Sequence, residues 1–468
     1  MTLPACFKAY DIRGRVPDEL DETLAEGIGR ALARRLRQDR EEGIGAGERA
    51  SPEGPITVAL GRDIRLSSPT LAGALARGLQ EAGADVVDLG LCGTEMVYFA
   101  VFHLGLDGGV MITASHNPKD YNGLKLVRVG SRPISGDSGL RDVGAWALQE
   151  PESWAGPRGT VRFHDPTPAF LDLLHRLVPP ESLAPLRVVF DTGNGCAGPL
   201  VRTLAEGLPL RASILRERPD GEFPQGVPNP LLPENRDLCA RAVLDLGADV
   251  GIAFDGDFDR CFFFDDRGTF VEGYYLVGLL AQEMLRDRPG SRIVHDPRLY
   301  WNTEEVVREA SGIPVRSKTG HAFIKERMRA EGALYGGEMS AHHYFQDFGY
   351  CDSGMVPWLK VLALLTRLGL PLSEVLADRM ARYPCSGEIN RRVPDIPAAI
   401  RRVERHFEPG VLERDDTDGL SLSFDRWRFN LRGSNTEPLL RLNVETRGDP
   451  DLLQRKTAEV LAVIDAGE

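Results

Sequence analysis

The sequence of 468 residues has no excess of positive charge, few cysteines and no long apolar run. Its formal net charge of −13 argues against general binding to nucleic acids or anionic membranes, because both need a basic surface. The seven cysteines are scattered, odd in number and without a C-x-x-C pair, so neither a disulfide framework nor a zinc site is indicated. No apolar run approaches the ~18 residues of a membrane-spanning helix.

These absences bound the possible functions of the chain. The N-terminal stretch has no charged segment followed by an apolar one, so we expect no signal peptide. We therefore predict a cytoplasmic protein that binds small molecules and neither nucleic acid nor membrane. Because the net charge is negative, an anionic substrate must be bound by a local group of basic residues. The chain is also too long for a single hydrophobic core.

Short apolar runs alternate with helical stretches along most of the chain. The runs ITVAL, GGVMI, RVVF, ADVGIAF and RIVH each end in a polar loop. This alternation predicts an α/β protein with mixed, mostly parallel sheets. The character changes near residues 380–395, after which two stretches look like paired strands, which predicts a smaller C-terminal α+β unit.

The hexapeptide TASHNP follows the apolar run GGVMI directly. It places the hydroxyl of Ser115 at the rim of a sheet, where α/β proteins usually bind their ligands. His116 could exchange a proton and Lys125 could neutralise a phosphate. Because Asn-Pro is itself a turn signal, the hexapeptide alone leaves an ordinary turn equally open.

A second loop carries three aspartates after the run ADVGIAF. Alternate positions of an extended segment face the same way, so Asp255, Asp257 and Asp259 can converge on one hard cation such as Mg²⁺. An EF-hand is excluded, because Arg260 and Asp266 occupy the positions that need Gly and Glu. A solvated acidic turn remains the alternative interpretation.

Two further loops suit a phosphorylated sugar. Glu338 and Ser340 are two residues apart and could hydrogen-bond neighbouring sugar hydroxyls. Small polar residues beside a fixed arginine make a cradle for a dianion, although a hairpin turn is also compatible; these residues are Arg432, Ser434, Asn435 and Thr436. The segments around Tyr10–Arg13 and Lys318–His321 add basic groups.

In this order and at these spacings, the loops resemble the α-D-phosphohexomutases across essentially the whole chain. The stretches that carry the resemblance are CFKAYDIRG, TASHNPKDYNGLK, FDGDFDRCF, SKTGHAFIKERM, GGEMSAHHYF and RFNLRGSNTEP. Within the family, they are most similar to the bacterial branch that acts on mannose phosphates.

The resemblance implies four domains around a central cleft. Three are related α/β domains, at residues 1–157, 158–267 and 268–380. They carry the phosphoserine loop, the metal loop and the sugar-binding loop in that order. The fourth, at 381–468, is a smaller α+β domain with the phosphate-binding loop.

The resemblance also assigns roles to individual residues. Ser115 is expected to be the phosphoserine, which holds Mg²⁺ together with the three aspartates. Substrate binding is expected of Tyr10, Arg298, Lys318, Glu338, Ser340, Arg432, Ser434, Asn435 and Thr436. Catalytic roles around the transferred group are expected of Arg13, His116, Lys125, Arg260, His321 and His342.

Two positions depart from the family pattern. Arg298 stands where a lysine is often found, which keeps the charge but replaces a point charge by a planar fork. Phe258 replaces a glycine seen in many members and is expected to face away from the metal.

The expected reaction interconverts mannose 6-phosphate and mannose 1-phosphate through a bisphosphate, with a hexose 1,6-bisphosphate as activator. Contacts to hydroxyls that mannose and glucose share imply some activity on glucose phosphates. The alternatives are a phosphoglucomutase, a phosphoglucosamine mutase or, from a different class, a Mg²⁺-dependent sugar phosphatase. We expect a monomer or a weak homodimer.

Overall fold

The computed structural model describes residues 3–50, 53–150, 154–433 and 439–466. The chain divides into two compact units, Met1–Phe270 with Asp347–Gly369 and Val271–Gln346 with Leu370–Glu468. Within the described ranges, no helix combines the length and the apolar character needed to cross a bilayer. Each unit contains two sheets with their own helices.

The first unit begins with a large mixed sheet flanked by helices. Its elements are β1 (Ile12–Arg15), α1 (Glu22–Glu41), β2 (Ile56–Arg62), α2 (Ser68–Glu81), β3 (Ala84–Leu91), α3 (Thr94–Leu104), β4 (Gly108–Ile112), β5 (Tyr121–Arg128), β6 (Arg132–Pro133), α4 (Leu140–Ala147), β7 (Val161–Phe163) and α5 (Thr167–Leu177). The strand order is β1-β5-β4-β2-β3-β7, with β6 paired to β5. Strands β4, β2, β3 and β7 are parallel, whereas β5 is antiparallel to β1, β4 and β6.

Helices α1 and α2 pack closely on this sheet because glycines face each other between them. A Cβ on Gly78 would lie 1.9 Å from the carbonyl oxygen of Glu26, and one on Gly29 would lie 2.4 Å from that of Leu75. Larger residues at these positions would separate the helices. Asp21 caps α1, since its side chain accepts a hydrogen bond from the Leu24 amide at 2.7 Å.

A second, smaller sheet completes the first unit. Its elements are β8 (Arg187–Asp191), α6 (Ala197–Glu206), β9 (Arg211–Leu215), α7 (Asp237–Leu246), β10 (Val250–Phe254), β11 (Cys261–Phe264) and β12 (Phe270–Val271). The strand order is β12-β11-β10-β8-β9, with β8 parallel to β9 and β10 and with β11 antiparallel to β10. The same unit contains β17 (Cys351–Asp352) and α11 (Met355–Leu368).

The second unit contains an α/β sheet and an antiparallel sheet. Its elements are α8 (Gly273–Asp287), β13 (Arg292–His295), α9 (Trp301–Glu309), β14 (Ile313–Arg316), α10 (His321–Glu331), β15 (Tyr335–Gly337), β16 (His343–Phe345), α12 (Leu372–Arg382), β18 (Ile389–Arg391), α13 (Ile396–Phe407), β19 (Glu413–Asp415), β20 (Leu420–Ser423), β21 (Trp427–Gly433), β22 (Leu440–Thr446) and α14 (Pro450–Asp465). Strand β13 is parallel to β14 and β15, and β16 is antiparallel to β15.

The last sheet has the order β18-β22-β21-β20-β19 and is antiparallel throughout. Helices α13 and α14 cover it, and residues of both join the strands in one hydrophobic cluster. The predicted fold class is therefore confirmed: three mixed α/β sheets are followed by a C-terminal sheet of different character.

Candidate functional site

Ser115 lies at the carboxyl end of β4, in the turn that follows this fully buried strand. Its backbone φ is +50°, in the left-handed region that non-glycine residues rarely adopt. The Ser115 amide donates to the hydroxyl of Thr113 at 2.8 Å. The Ser115 hydroxyl donates to Oδ2 of Asp255 at 2.7 Å and lies 3.1 Å from Nδ1 of His116. The structure thus joins the first polar loop to the second, which lies 140 residues further along the chain.

An arginine that the sequence analysis did not single out holds the backbone of this turn. The guanidinium of Arg65 donates to four carbonyl oxygens, those of Ser115 at 2.9 Å, Asn117 at 2.6 Å, Pro118 at 2.6 Å and Tyr121 at 2.9 Å. Arg65 is 1 % exposed. The available signal was its position after β2, because β2 is the parallel neighbour of β4 and loops after parallel strands share one sheet edge.

The three aspartates of the second loop lie between β10 and β11 and are almost completely buried. The alternative of a solvated acidic turn is therefore wrong. Lys125 on β5 donates to Oδ2 of Asp257 at 2.7 Å and to Oδ2 of Asp259 at 2.5 Å. Two of the three carboxylates thus share one buried ammonium group, which offsets part of their mutual repulsion.

The aspartates fit a divalent cation. One oxygen from each of Asp255, Asp257 and Asp259 can be chosen so that all three lie within 4.8 Å of one another. Oδ1 of Asp257 and Oδ1 of Asp259 are buried and accept no hydrogen bond within the described part of the chain. Buried carboxylate oxygens without a donor are costly, and hard cations prefer oxygen ligands of this kind.

The electrostatics of the loop differ from one aspartate to the next. Burial raises the pKa of Asp255 to about 6, although the nearby Arg260 guanidinium lowers it in part. Burial also acts to raise the pKa of Asp257, but the Lys125 ammonium outweighs it and holds that pKa below its ordinary value. Asp257 therefore stays ionised at neutral pH.

Two arginines and a histidine surround Ser115. Arg260 donates to Oδ2 of Asp255 at 2.8 Å and to the Ser115 hydroxyl at 3.4 Å. Arg13 is bound to Asp11 at 2.8 Å and to Oδ1 of Asn117 at 2.6 Å. These guanidinium groups place positive charge beside the Ser115 turn, next to the carboxylates of the second loop.

His116 is neutral in this setting. Burial, reinforced by the charge of Arg260, holds the pKa of His116 well below its ordinary value. Arg260 Nη2 lies 2.5 Å from Nδ1 of His116, and a guanidinium can only donate. Nδ1 is therefore the unprotonated ring nitrogen, and Nε2 carries the hydrogen.

Other predicted site residues meet in the second unit around Arg298. Its guanidinium pairs with Asp296 at 2.7 Å and Glu388 at 3.2 Å, and it donates to the Ser340 hydroxyl at 3.2 Å. Both carboxylate oxygens of Glu338 are engaged, one by the Gly320 amide at 2.9 Å and the other by the Tyr344 hydroxyl at 2.5 Å.

Glu388 forms ion pairs with three arginines. The sequence analysis did not identify Glu388 or one of these arginines, Arg441. The Glu388 carboxylate lies 3.2 Å from Arg298, 3.2 Å from Arg441 and 3.6 Å from Arg432. Burial acts to raise the pKa of Glu388, but the arginines, Arg298 first, hold it below its ordinary value. Arg432 and Arg441 pair across β21 and β22, so only the strand register could have identified Arg441.

The remaining predicted residues have these positions. Tyr10, His321 and His342 are half-buried and Lys318 is exposed, with its ammonium 4.9 Å from the Phe323 ring centroid. Ser434, Asn435 and Thr436 lie outside the described residues. The expected roles of all site residues stay predictions.

Comparison with known proteins covers the whole chain. Four models of the phosphoglucomutase/phosphomannomutase family match consecutive segments: α/β/α domain I at residues 4–139, domain II at 169–268, domain III at 272–383 and the C-terminal domain at 388–463. A phosphomannomutase of Salmonella typhimurium is 55% identical, over 99% of this chain and 100% of that protein. A protein of Xanthomonas campestris described as phosphohexose mutases is also 55% identical, over 98% of this chain and 99% of its own length.

A solved structure agrees with these sequence relatives. The crystal structure of a phosphoglucomutase/phosphomannomutase family protein from Burkholderia thailandensis matches with a TM-score of 0.85 at 31% identity, covering 100% of this chain and 99% of that one. A structure described as a putative phosphomannomutase from Thermus thermophilus, at 22% identity and a TM-score of 0.78, shares the fold.

Proposed function

This chain belongs to the phosphoglucomutase/phosphomannomutase family of α-D-phosphohexomutases, and we propose that it interconverts mannose 6-phosphate and mannose 1-phosphate. The observation that carries the proposal is the hydroxyl of Ser115, 2.7 Å from a buried aspartate of the acidic triplet. Relatives described as phosphomannomutases, at 49–55% identity over nearly the full length, support the choice of mannose.

In the proposed reaction, one phosphoryl group passes from Ser115 to the sugar and another passes from the sugar back to Ser115. Phosphorylated Ser115 transfers its phosphoryl group to the free C1 hydroxyl of mannose 6-phosphate, which gives mannose 1,6-bisphosphate and a free serine hydroxyl. The 6-phosphoryl group then passes to Ser115, leaving mannose 1-phosphate. Such transfers depend on positioning and charge neutralisation more than on covalent assistance.

The residues around Ser115 are suited to this step. Arg260 and Arg13 neutralise charge on the phosphoryl oxygens, and the Arg65 contacts keep the turn in one conformation. Neutral His116 accepts a hydrogen bond from Arg260 at Nδ1 and so holds this guanidinium beside the Ser115 oxygen. We assign proton transfer at the sugar hydroxyls to His321 and His342. Lys125, whose ammonium is bound to Asp257 and Asp259, contributes positive charge to the catalytic site.

We propose that Asp255, Asp257 and Asp259 hold Mg²⁺ together with the phosphate on Ser115. When bound, the ion neutralises charge that develops on the transferred group. Two buried oxygens support this assignment, because neither accepts a hydrogen bond within the described residues: Oδ1 of Asp257, and Oδ1 of Asp259, which lies 3.8 Å from Nε of Arg260.

The second unit provides groups for the rest of the substrate. We assign Glu338 and Ser340 to the sugar hydroxyls, and Arg298 with Arg432 to the phosphate that is not being transferred. Ser434, Asn435, Thr436, Tyr10 and Lys318 keep their predicted substrate-binding roles. Glu388 holds Arg298, Arg432 and Arg441 close together, and this concentration of guanidinium groups supports an anion site there.

Four further expectations belong to this proposal. A hexose 1,6-bisphosphate is the activator, because it restores phosphoserine when the intermediate escapes. The enzyme is cytoplasmic and is a monomer or weak homodimer. Its domains are 1–157, 158–267, 268–380 and 381–468.

The test follows both products of mannose 6-phosphate by ³¹P NMR, in the presence of Mg²⁺ and a catalytic amount of hexose 1,6-bisphosphate. We expect mannose 1-phosphate with little inorganic phosphate. Ser115→Ala should lose turnover by more than about 10³-fold, since the group that carries the phosphoryl is gone. Release of inorganic phosphate without the isomer would show a phosphatase instead.

A further inference from the structure

We infer that Thr94, the first residue of α3, is a positioning residue that decides which oxygen of Asp257 faces the metal ion. This inference rests on the proposed metal site. Thr94 is fully buried and belongs to none of the four loops that the sequence analysis singled out.

Thr94 contacts the acidic loop through its side chain and its backbone. Its hydroxyl donates to Oδ2 of Asp257 at 2.5 Å, and its amide donates to the Asp257 carbonyl oxygen at 3.1 Å. Lys125 closes a triangle, since its ammonium donates to the Thr94 hydroxyl at 3.3 Å and to the same Oδ2 at 2.7 Å. Side chain and main chain of Asp257 are thus both fixed from the start of one helix.

The two oxygens of Asp257 are consequently not equivalent. Oδ2 accepts two hydrogen bonds, one of them from a charged donor, whereas Oδ1 is buried and accepts none within the described residues. A carboxylate held by one oxygen cannot rotate about its terminal torsion without breaking those bonds. The hydroxyl of Thr94 therefore presents Oδ1 as the ligand atom.

Packing holds the helix start and the acidic loop together. A Cβ on Gly93 would lie 2.3 Å from ring atoms of Phe258, so the glycine before Thr94 leaves room for the ring between two aspartates. Phe258 is buried with a φ of +44°. Its ring packs against the start of α3, which fixes the distance between Thr94 and Asp257.

The inferred role of residue 94 requires a side-chain hydroxyl that can donate to Asp257. Valine has the shape of threonine without the donor, so Thr94→Val leaves Oδ2 with Lys125 alone and frees the carboxylate to reorient. Thr94→Ser keeps the donor. Loss of such outer partners typically weakens metal binding by 10- to 100-fold.

The experiment measures Mn²⁺ binding to the full-length chain by electron paramagnetic resonance. The protein is first treated with EDTA, and every variant is first brought to the same Ser115 phosphorylation, which mass spectrometry checks. We expect Thr94→Val to raise the Mn²⁺ Kd by at least about 10-fold and Thr94→Ser to stay within about 3-fold of wild type. Thr94→Ala gives the same comparison if the valine variant does not fold.

Two controls separate this inference from the proposal it rests on. Thr446→Val removes another buried hydroxyl, which donates to the Asp449 carbonyl oxygen at 2.9 Å, and should leave Mn²⁺ binding unchanged. Asp257→Asn removes a proposed ligand. If Asp257→Asn binds Mn²⁺ as tightly as wild type, the metal site itself is wrong; if it binds weakly while Thr94→Val binds like wild type, only the role of Thr94 is wrong.

Discussion

At the scale of single residues, the turn that carries Ser115 is held by a buried side chain outside the predicted motifs. Ser115 adopts a left-handed backbone conformation, which persists only when surrounding contacts over-determine it. Arg65 provides four such contacts to the turn. The backbone of the turn that carries Ser115 is thus held by a buried arginine 50 residues earlier in the chain.

Arg65→Met should lower kcat by about 10- to 100-fold, because the turn would no longer hold the Ser115 hydroxyl against Asp255. The fold should lose about 2–4 kcal/mol, since Asp63 loses its partner at 3.3 Å and four buried carbonyls lose a donor. Steady-state kinetics and urea unfolding measure the two effects.

Arg65→Lys is the matched variant, since an ammonium keeps the charge but cannot reach four acceptors. The kcat of Arg65→Lys should therefore lie between those of wild type and Arg65→Met. Equal kcat values for wild type and both variants would contradict the positioning role.

A second residue-scale prediction concerns Glu388 and the three arginines it gathers. Arg441→Met should raise the KM for mannose 6-phosphate by about 3- to 10-fold with little change in kcat. The reason is that one cation of the proposed anion site is lost, while the groups around Ser115 are unchanged. Initial rates over a range of substrate concentrations test it, and a fall in kcat at unchanged KM would contradict it.

At the scale of elements, the first turn of α3 links two other parts of the same unit. Thr94 holds the acidic loop, and Glu95 accepts hydrogen bonds from the Ser353 hydroxyl and, at 3.2 Å, from the Met355 amide at the start of α11. Burial raises the pKa of Glu95 well above its ordinary value. The carboxyl is therefore protonated in the folded protein at pH values where it ionises in the unfolded chain.

This difference makes stability depend on pH. Above the unfolded pKa near 4.5, the unfolded state loses a proton that the folded state keeps, so the free energy of unfolding falls as pH rises. The slope from this one group is at most about 1.4 kcal/mol per pH unit. Below pH 4.5 both states are protonated and the effect vanishes.

Glu95→Gln removes the ionisable group while keeping similar hydrogen-bonding capacity. The free energy of unfolding of the variant, relative to wild type, should therefore increase steadily as pH rises from about 5 to about 8. Urea unfolding at several pH values measures this difference. A difference that is constant with pH would show that Glu95 ionises equally in both states.

At the scale of the whole molecule, the proposed site residues are divided between the two compact units. The first contains the hydroxyl, the acidic triplet and the basic groups around them, and the second contains the arginine cluster around Glu388. A cation bound by the first unit should stabilise that unit directly, because a ligand stabilises the state that binds it.

Removal of the metal ion should therefore have a local signature. Relative to EDTA, Mg²⁺ should slow hydrogen exchange in residues 94–97, 113–121 and 255–260, and should leave strands β20–β22 unchanged. Mass spectrometry of peptic fragments measures this. Uniform protection of both units, or none near the acidic loop, would contradict the assigned metal site.

Substrate preference is the second prediction at this scale. Each end of the sugar must be able to lie beside Ser115 in turn. The proposed contacts are therefore made to hydroxyl groups that mannose and glucose have in common. We expect kcat/KM for glucose 1-phosphate within about 100-fold of that for mannose 1-phosphate, since a site without a specific hydrogen bond to the hydroxyl that differs discriminates by only about 10²-fold. Parallel assays with a common bisphosphate activator decide it.

The sequence by itself determined the fold class and the loops that carry the chemistry. Runs such as GGVMI and ADVGIAF end in polar loops, which marks Ser115 and Asp255 as candidate site residues. Because β4 and β10 belong to different sheets, only the family resemblance predicted that the two residues lie close together. The family could also be identified from the sequence, because its motifs occur in the family's order along the whole chain.

Only the tertiary structure decided how these loops are held. Arg65, Thr94, Glu388 and Arg441 lie outside the recognised motifs, and their partners are up to 163 residues away along the chain. Which oxygen of Asp257 is free, and which nitrogen of His116 carries hydrogen, depends on neighbours from other elements. A sequence pattern records the periodicity of one segment, whereas hydrogen bonds between segments are set by the packing that brings them together.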